Sequence, residues 1–197
     1  MKEFKLRASA AGTLVPNGKG SLISVGGKTY LKEWVISQLY GIEKQIKSKY
    51  IDKGVMLEDQ AIDFTVKMLD IEFALKNETR FENDYFTGEP DMILDDRIID
   101  IKNSWDCFTF PLFETEIPNS DYFYQLQVYM HLTGKRKATL VYVLLDTPAT
   151  NWDAGIIYNV DDKYRIKTFE VEYDSAVIEI LTAKVIEARQ YINSLKL

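Results

Sequence analysis

Cysteine and histidine are almost absent from this sequence of 197 residues: Cys107 and His131 are its single copies. One cysteine excludes an internal disulfide, a cysteine-rich zinc site and a four-cysteine iron–sulfur cluster. One histidine excludes multi-histidine zinc hydrolysis, and a Ser-His-Asp triad would have only His131 to use. That residue falls in a helical pattern over 122–133, where the expectation is an ordinary surface or half-buried histidine. No apolar run approaches transmembrane length, and the start, MKEFKLRASAAG, lacks the apolar segment of a signal peptide. The expected location is a reducing cytoplasm, away from membranes. Positive charge is short as well. A net charge of −6 argues against wholesale wrapping of nucleic acid and leaves a local basic patch as the only phosphate-binding surface. There is no internal repeat, low-complexity tract or interdomain linker, so residues 1–197 read as a single domain around one core.

What is present is periodic. Ser9, followed by small residues, has the form of a helix N-cap, with Arg7 two residues before it. Residues 16–28 are glycine-rich and read as a loop, with Lys19 and Lys28 available for phosphate. Gly27-Lys28-Thr29 ends like a P-loop, but Leu22 stands where the leading glycine belongs. Residues 29–49 read as a helix interrupted by Gly41. Leu57, Ala61, Phe64, Met68, Ile71 and Leu75 make the stripe of a second helix, with Glu58 beside it. Residues 78–87 are a polar connection with room for a short strand. Pro118-Asn119-Ser120-Asp121 starts a helix that Gly134 ends. Its Gln125 and Tyr129, at i and i+4, share a face where a buried amide and phenol need partners. Residues 138–145 are a buried strand, 165–173 another, and a last helix starts near Asp174.

The centre of the chain is Gly88 to Trp105, GEPDMILDDRIIDIKNSW. Two short apolar runs flank Leu94-Asp95-Asp96-Arg97, a tight turn. With Asp95 and Asp96 as the loop, Ile93 pairs with Ile98, Met92 with Ile99 and Asp91 with Asp100. Opposed residues share a face, and Lys102, two residues past Asp100, shares it too. Ile99 and Ile101 then point the other way, into a core. Two facing carboxylates repel unless a cation sits between them or one is protonated. A hard divalent metal satisfies such a pair, and a lysine beside it can orient a water or offset developing charge.

These pieces together resemble the PD-(D/E)xK nuclease superfamily, in its phage-type, lambda exonuclease-like and RecB-like branch. Pro90-Asp91 with Asp100-Ile101-Lys102 is similar to the signature. Gly54 through Glu58 to Ala61 resembles the family's G-x-x-x-E-x-x-A helix, Gln125 to Tyr129 its Q-x-x-x-Y helix, and Ala8-Ser9-Ala10-Ala11 its serine segment. The resemblance spans about residues 5–145, in order. It implies an α/β fold with a central mixed β-sheet flanked by helices. It further implies that Asp91, Asp100 and the Ile101 carbonyl bind one or two Mg2+ or Mn2+ ions, that Glu58 completes the site and that Lys102 positions the attacking water. Gln125 and Tyr129 would contact the nucleic acid, and Arg7 and Ser9 a terminal phosphate. The implied activity is a metal-dependent DNA exonuclease of phage or prophage origin, acting 5′ to 3′ on duplex ends. Relatives form homo-oligomeric rings and work beside a single-strand annealing protein. The competing expectations are an endonuclease or single-strand nuclease, and a non-catalytic nucleic-acid-binding module on the same fold.

Overall fold

A computed structural model of the chain describes residues 2–15, 23–44, 53, 56–72, 75–149 and 155–196. Gly54 and Lys19, named above, lie outside the described residues. In chain order the elements are β1 (Leu6–Arg7), a short 3-10 helix (Ala8–Ala10), α1 (Ala11–Leu14), α2 (Val25–Tyr40) and α3 (Glu58–Met68). Then come β2 (Phe81–Glu82), β3 (Phe86–Gly88), β4 (Met92–Ile93), β5 (Ile98–Asn103) and α4 (Ser120–Thr133). The chain continues with β6 (Lys137–Val143), a 3-10 turn (Asp162–Tyr164), β7 (Ile166–Glu172) and α5 (Ser175–Ser194).

The central sheet is mixed, in the order β4-β5-β6-β7, with β5 and β6 parallel and both outer pairs antiparallel. A smaller mixed sheet, β1-β3-β2, brings the N-terminus beside the chain leading into β4. The expected mixed sheet flanked by helices is therefore what forms. Alternation along the interior strands divides the core between its two faces. Ile98, Ala138, Leu140, Tyr142, Phe169 and Val171 pack with residues of α4, α5 and α2. Met92, Ile99, Val141 and Val143 pack with Leu57, Ala61 and Ile62 of the α3 region. Ile99 and Ile101 do face a core, and the opposite, carboxylate-bearing face is covered as well, by α4. Gln127 joins the layers: its Nε2 donates to Glu172 O at 2.8 Å and its Oε1 accepts from Asp174 N at 2.8 Å.

Several local expectations need correction. The first long helix starts at Val25, because Ser24 caps it by accepting from Gly27 N at 2.9 Å, so residues 25–28 are helical rather than loop. It stops at Tyr40, at the interruption expected from Gly41, which turns left-handed at φ 66° and whose N–H returns to Ser37 O; residues 45–49 lie outside the described residues. A helix ending this way satisfies its last carbonyls without continuing. The stripe ending at Leu75 outruns its helix, which gives way at Leu69, and Asp70 takes a positive φ of 51°. Ser9 is no N-cap. Arg7 holds that position, without a side-chain capping bond, and Ser9 lies exposed within the 3-10 helix. The helix from Ser120 follows expectation at both ends, with Asn119 accepting from Asp121 N at 3.0 Å and Gly134 left-handed at φ 74°.

Candidate active site

The hairpin register is the one counted from the turn. Met92 pairs with Ile99 and Ile93 with Ile98, and Leu94 N donates to Arg97 O at 2.8 Å. Neither Asp95 nor Asp96 has a positive φ, so the turn closes without the left-handed residues that a type I′ turn needs. Beyond Met92 the ladder gives way to a side-chain bond: Asp91 Oδ2 accepts from Ile101 N at 2.6 Å. Asn77 holds the same stretch from outside. Its N–H donates to Asp91 O at 2.8 Å and its Nδ2 to Pro90 O at 2.9 Å.

Asp100, Lys102 and Gln125 form a connected group under α4. Asp100 is 2% exposed, and Lys102 Nζ stands 2.7 Å from its Oδ2. Gln125 Nε2 donates to Asp100 Oδ1 at 3.3 Å and to the Tyr129 hydroxyl at 2.9 Å, while its Oε1 accepts from Lys102 Nζ at 3.3 Å. One amide thus reads a carboxylate, a phenol and an ammonium at once. The Tyr122 ring lies 4.7 Å from Lys102 Nζ and walls its far side. The i, i+4 spacing of Gln125 and Tyr129 is what lets one helix face supply both groups.

The electrostatics follow from burial. Burial, and then the Asp100 charge, push the Asp91 carboxyl up to about 7, against the opposing effects of the Ile101 N–H and Lys102. Burial pulls the Lys102 ammonium down, but the charge and hydrogen bond of Asp100 outweigh it, and the net direction is upward. Burial and Asp100 also raise the Tyr129 phenol, which keeps it a neutral hydroxyl.

A cleft of about 310 Å3 opens over this group, and Arg7, Ser9, Glu58, Asp91 and Tyr129 all line it. Asp100, Lys102 and Gln125 lie behind its wall, linked to it through Asp91 and Tyr129. Gly88 permits the wall to close: a Cβ there would come within 2.7 Å of the Tyr129 ring and 3.0 Å of Ala8 Cβ. Glu58 opens α3 at the cleft edge, 44% exposed at its side chain, with Lys76 Nζ 3.3 Å from its Oε2. Lys76, Asn77 and Arg80 also line the cleft, and sequence reasoning passed over all three. Lys76 and Asn77 directly follow the last residue of the expected helix stripe, Leu75, and Arg80 lies in the polar connection after it; only tertiary pairing brings this stretch alongside Asp91.

The donor set suits a hard divalent cation. A buried carboxylate, Asp100, is paired with Lys102, a second and partly buried one, Asp91, stands near enough for the two charges to repel, and Asp100 Oδ2 accepts no hydrogen bond of good geometry. Among the described residues, however, no three acidic, histidine or cysteine side chains stand together as a ready ligand set. Asp91 and Asp100 form the pair, Glu58 stands off with Lys76, and Ile101 contributes its N–H to Asp91. His131 takes the ordinary role: its Nδ1 lies 3.0 Å from the Tyr173 hydroxyl, outside the cleft.

No protein-family model matches the chain, and no curated protein matches it in sequence. Solved structures do. A phage-related exonuclease from Haemophilus somnus 129PT is 26% identical, with a TM-score of 0.86 over 98% of this chain and 95% of its own. An alkaline exonuclease from Laribacter hongkongensis has a TM-score of 0.73 at 18% identity, over 96% of this chain and 88% of its own. In its complex with dAMP the same exonuclease gives 0.70 at 20% identity, over 96% and 90%. The chain thus has the fold of a phage-related exonuclease, in keeping with the resemblance to the phage-type, lambda exonuclease-like nucleases.

Proposed function

We propose that the protein is a metal-dependent DNA exonuclease that processes double-stranded ends 5′ to 3′ for phage or prophage recombination. One observation carries this reading. The Asp100 charge is felt by the Asp91 carboxyl, and Asp100 holds Lys102 at 2.7 Å, on a fold shared almost end to end with a phage-related exonuclease. Asp91, Asp100 and the Ile101 carbonyl would hold Mg2+ or Mn2+, with Glu58 joining them. Such an ion, when bound, acidifies a water and offsets charge on the phosphoryl oxygens. The chain's own groups do the rest. Lys102 Nζ, fixed between Asp100 and Gln125, holds the attacking water and offsets charge as it develops. Gln125 keeps that ammonium and the Tyr129 hydroxyl in place, and Tyr129 presents its hydroxyl to the strand in the cleft. Arg7 and Ser9, at the other side of the cleft, would take a terminal phosphate. A homo-oligomeric ring and an annealing partner belong to the same proposal, as does a cytoplasmic setting. Among the described residues no helix is long and apolar enough to cross a membrane.

Digestion of one DNA as a closed circle and as a 5′-phosphorylated linear duplex, with Mg2+ and with chelator, tests the proposal. The expected result is loss of the linear form alone, and only with metal. Cutting of the circle would replace the exonuclease with an endonuclease. No cleavage by folded protein of these or of single strands would favour a binding module.

A further inference from the structure

Lys76 is the one cation of the cleft that touches the Glu58 carboxylate. Its Nζ lies 3.3 Å from Glu58 Oε2 and 3.3 Å from Asp59 Oδ1. Its backbone is not free to wander. Lys76 bridges Met92 in antiparallel fashion, and the next residue, Asn77, donates to Asp91 O at 2.8 Å. The lysine is therefore anchored to the strand that carries Asp91, while its side chain reaches across to the first turn of α3. Both contacts are longer than the roughly 2.7–2.9 Å of a tight charge-assisted bond, and the lysine side chain is 39% exposed. The pairing is loose and open to exchange.

Like charges decide what exchanges. An ammonium on Glu58 and a divalent cation on Asp91 and Asp100 compete for the same carboxylate and repel one another. Released from Glu58, the Lys76 ammonium keeps only the exposed Asp59 carboxylate at 3.3 Å and remains in the lining of the cleft with Arg7 and Arg80. Arg80 is paired with Glu89 at 3.3 Å, so Lys76 would be the cation newly uncovered there. We infer that Lys76 is a charge latch: it holds Glu58 in the metal-free protein, yields it when a divalent cation binds, and passes to a backbone phosphate of DNA in the cleft. This rests on the metal-dependent nuclease reading above. It makes metal loading and strand binding cooperative through one side chain.

The test is calorimetric titration of the full chain with Mn2+, without DNA, for wild type, Lys76→Met, Lys76→Arg and Asp91→Asn. Affinity for a labelled duplex is then measured by anisotropy with Ca2+ and with chelator. The latch predicts that Lys76→Met binds Mn2+ about two- to fivefold tighter, the strength of one exposed ion pair. The same variant should lose most of the gain in duplex affinity that Ca2+ brings to wild type. Lys76→Arg should stay near wild type in both. Unchanged or weaker Mn2+ binding by Lys76→Met overturns the latch, as does an undiminished Ca2+ effect on duplex binding. A failure of the underlying reading looks different: wild type would bind no Mn2+, or Asp91→Asn would bind it undiminished.

Discussion

Asp91 keeps its proton to a higher pH than an ordinary aspartate does. Its carboxyl sits at about 7 in the fold, against an ordinary value of 3.8, because burial and then Asp100 disfavour its charge. Between those values the native chain binds a proton that the unfolded chain has released. Stability of the metal-free protein therefore falls as pH rises from about 4 to about 7. Urea unfolding in chelator across that range measures it. Asp91→Asn should flatten the slope, and an unchanged slope would assign the proton to another group. Lys102 is the counter-charge of Asp100. Lys102→Met leaves Asp100 buried without its counter-charge and should cost about 3 kcal/mol of stability. The same change should lower cleavage about a hundredfold or more, since the group that offsets developing charge is gone. Comparing its urea midpoint with that of Lys102→Met/Asp100→Asn separates the two effects: the double variant should recover stability without recovering activity.

At the scale of elements, the site depends on how closely three pieces approach: the 3-10 helix at Ala8, the end of β3 at Gly88, and α4 at Tyr129. Gly88→Ala puts a methyl 2.7 Å from the Tyr129 ring. Tyr129 must move, and Gln125, bonded to it, moves with it. Overpacking of this kind should cost about 1–3 kcal/mol. Cleavage should fall more than binding of a labelled duplex; equal loss of both would assign Gly88 a purely structural role. Lys53 shows the same dependence in another place. It is buried, and its ammonium donates to Ser104 O at 3.0 Å, to Trp105 O and to Thr147 Oγ1 at 2.8 Å. It thereby clamps the ends of β5 and β6 to the approach to Glu58. Nothing in its neighbourhood announces a buried lysine. The carbonyls that bury it belong to residues about fifty and ninety positions away. Asp91, Asp100 and Lys102, by contrast, were legible because strand periodicity and a two-residue turn are local rules. Gln125 and Tyr129 were legible for the equivalent reason in a helix.

At the scale of the whole molecule, the proposed function asks a chain of net charge −6 to hold nucleic acid with a small cationic surface. The cleft supplies Arg7, Lys76 and Arg80, two of them already paired with carboxylates. About three neutralised phosphates give a slope of roughly −3 in log affinity against log salt concentration. Duplex binding in Ca2+, measured from low to moderate salt, should show that shallow slope. A slope twice as steep would place much of the contact on other surfaces or on several copies.

Local order alone decided the hairpin, its register, the two-faced strands and the capped helix that carries Gln125. Each follows from spacing, since side-chain direction repeats every two residues in a strand and about every four in a helix. The tertiary structure decided what no spacing encodes. It buried Leu31 and Val35 of α2 and left Leu39, four residues on, exposed. It also placed Lys76 on Glu58 and Lys53 under the strand ends, and it brought the Ser9 turn and Glu58 into the lining of one cleft. These are meetings of segments far apart in sequence. They exist only once the two sheets and the helices between them have closed around both faces of β5.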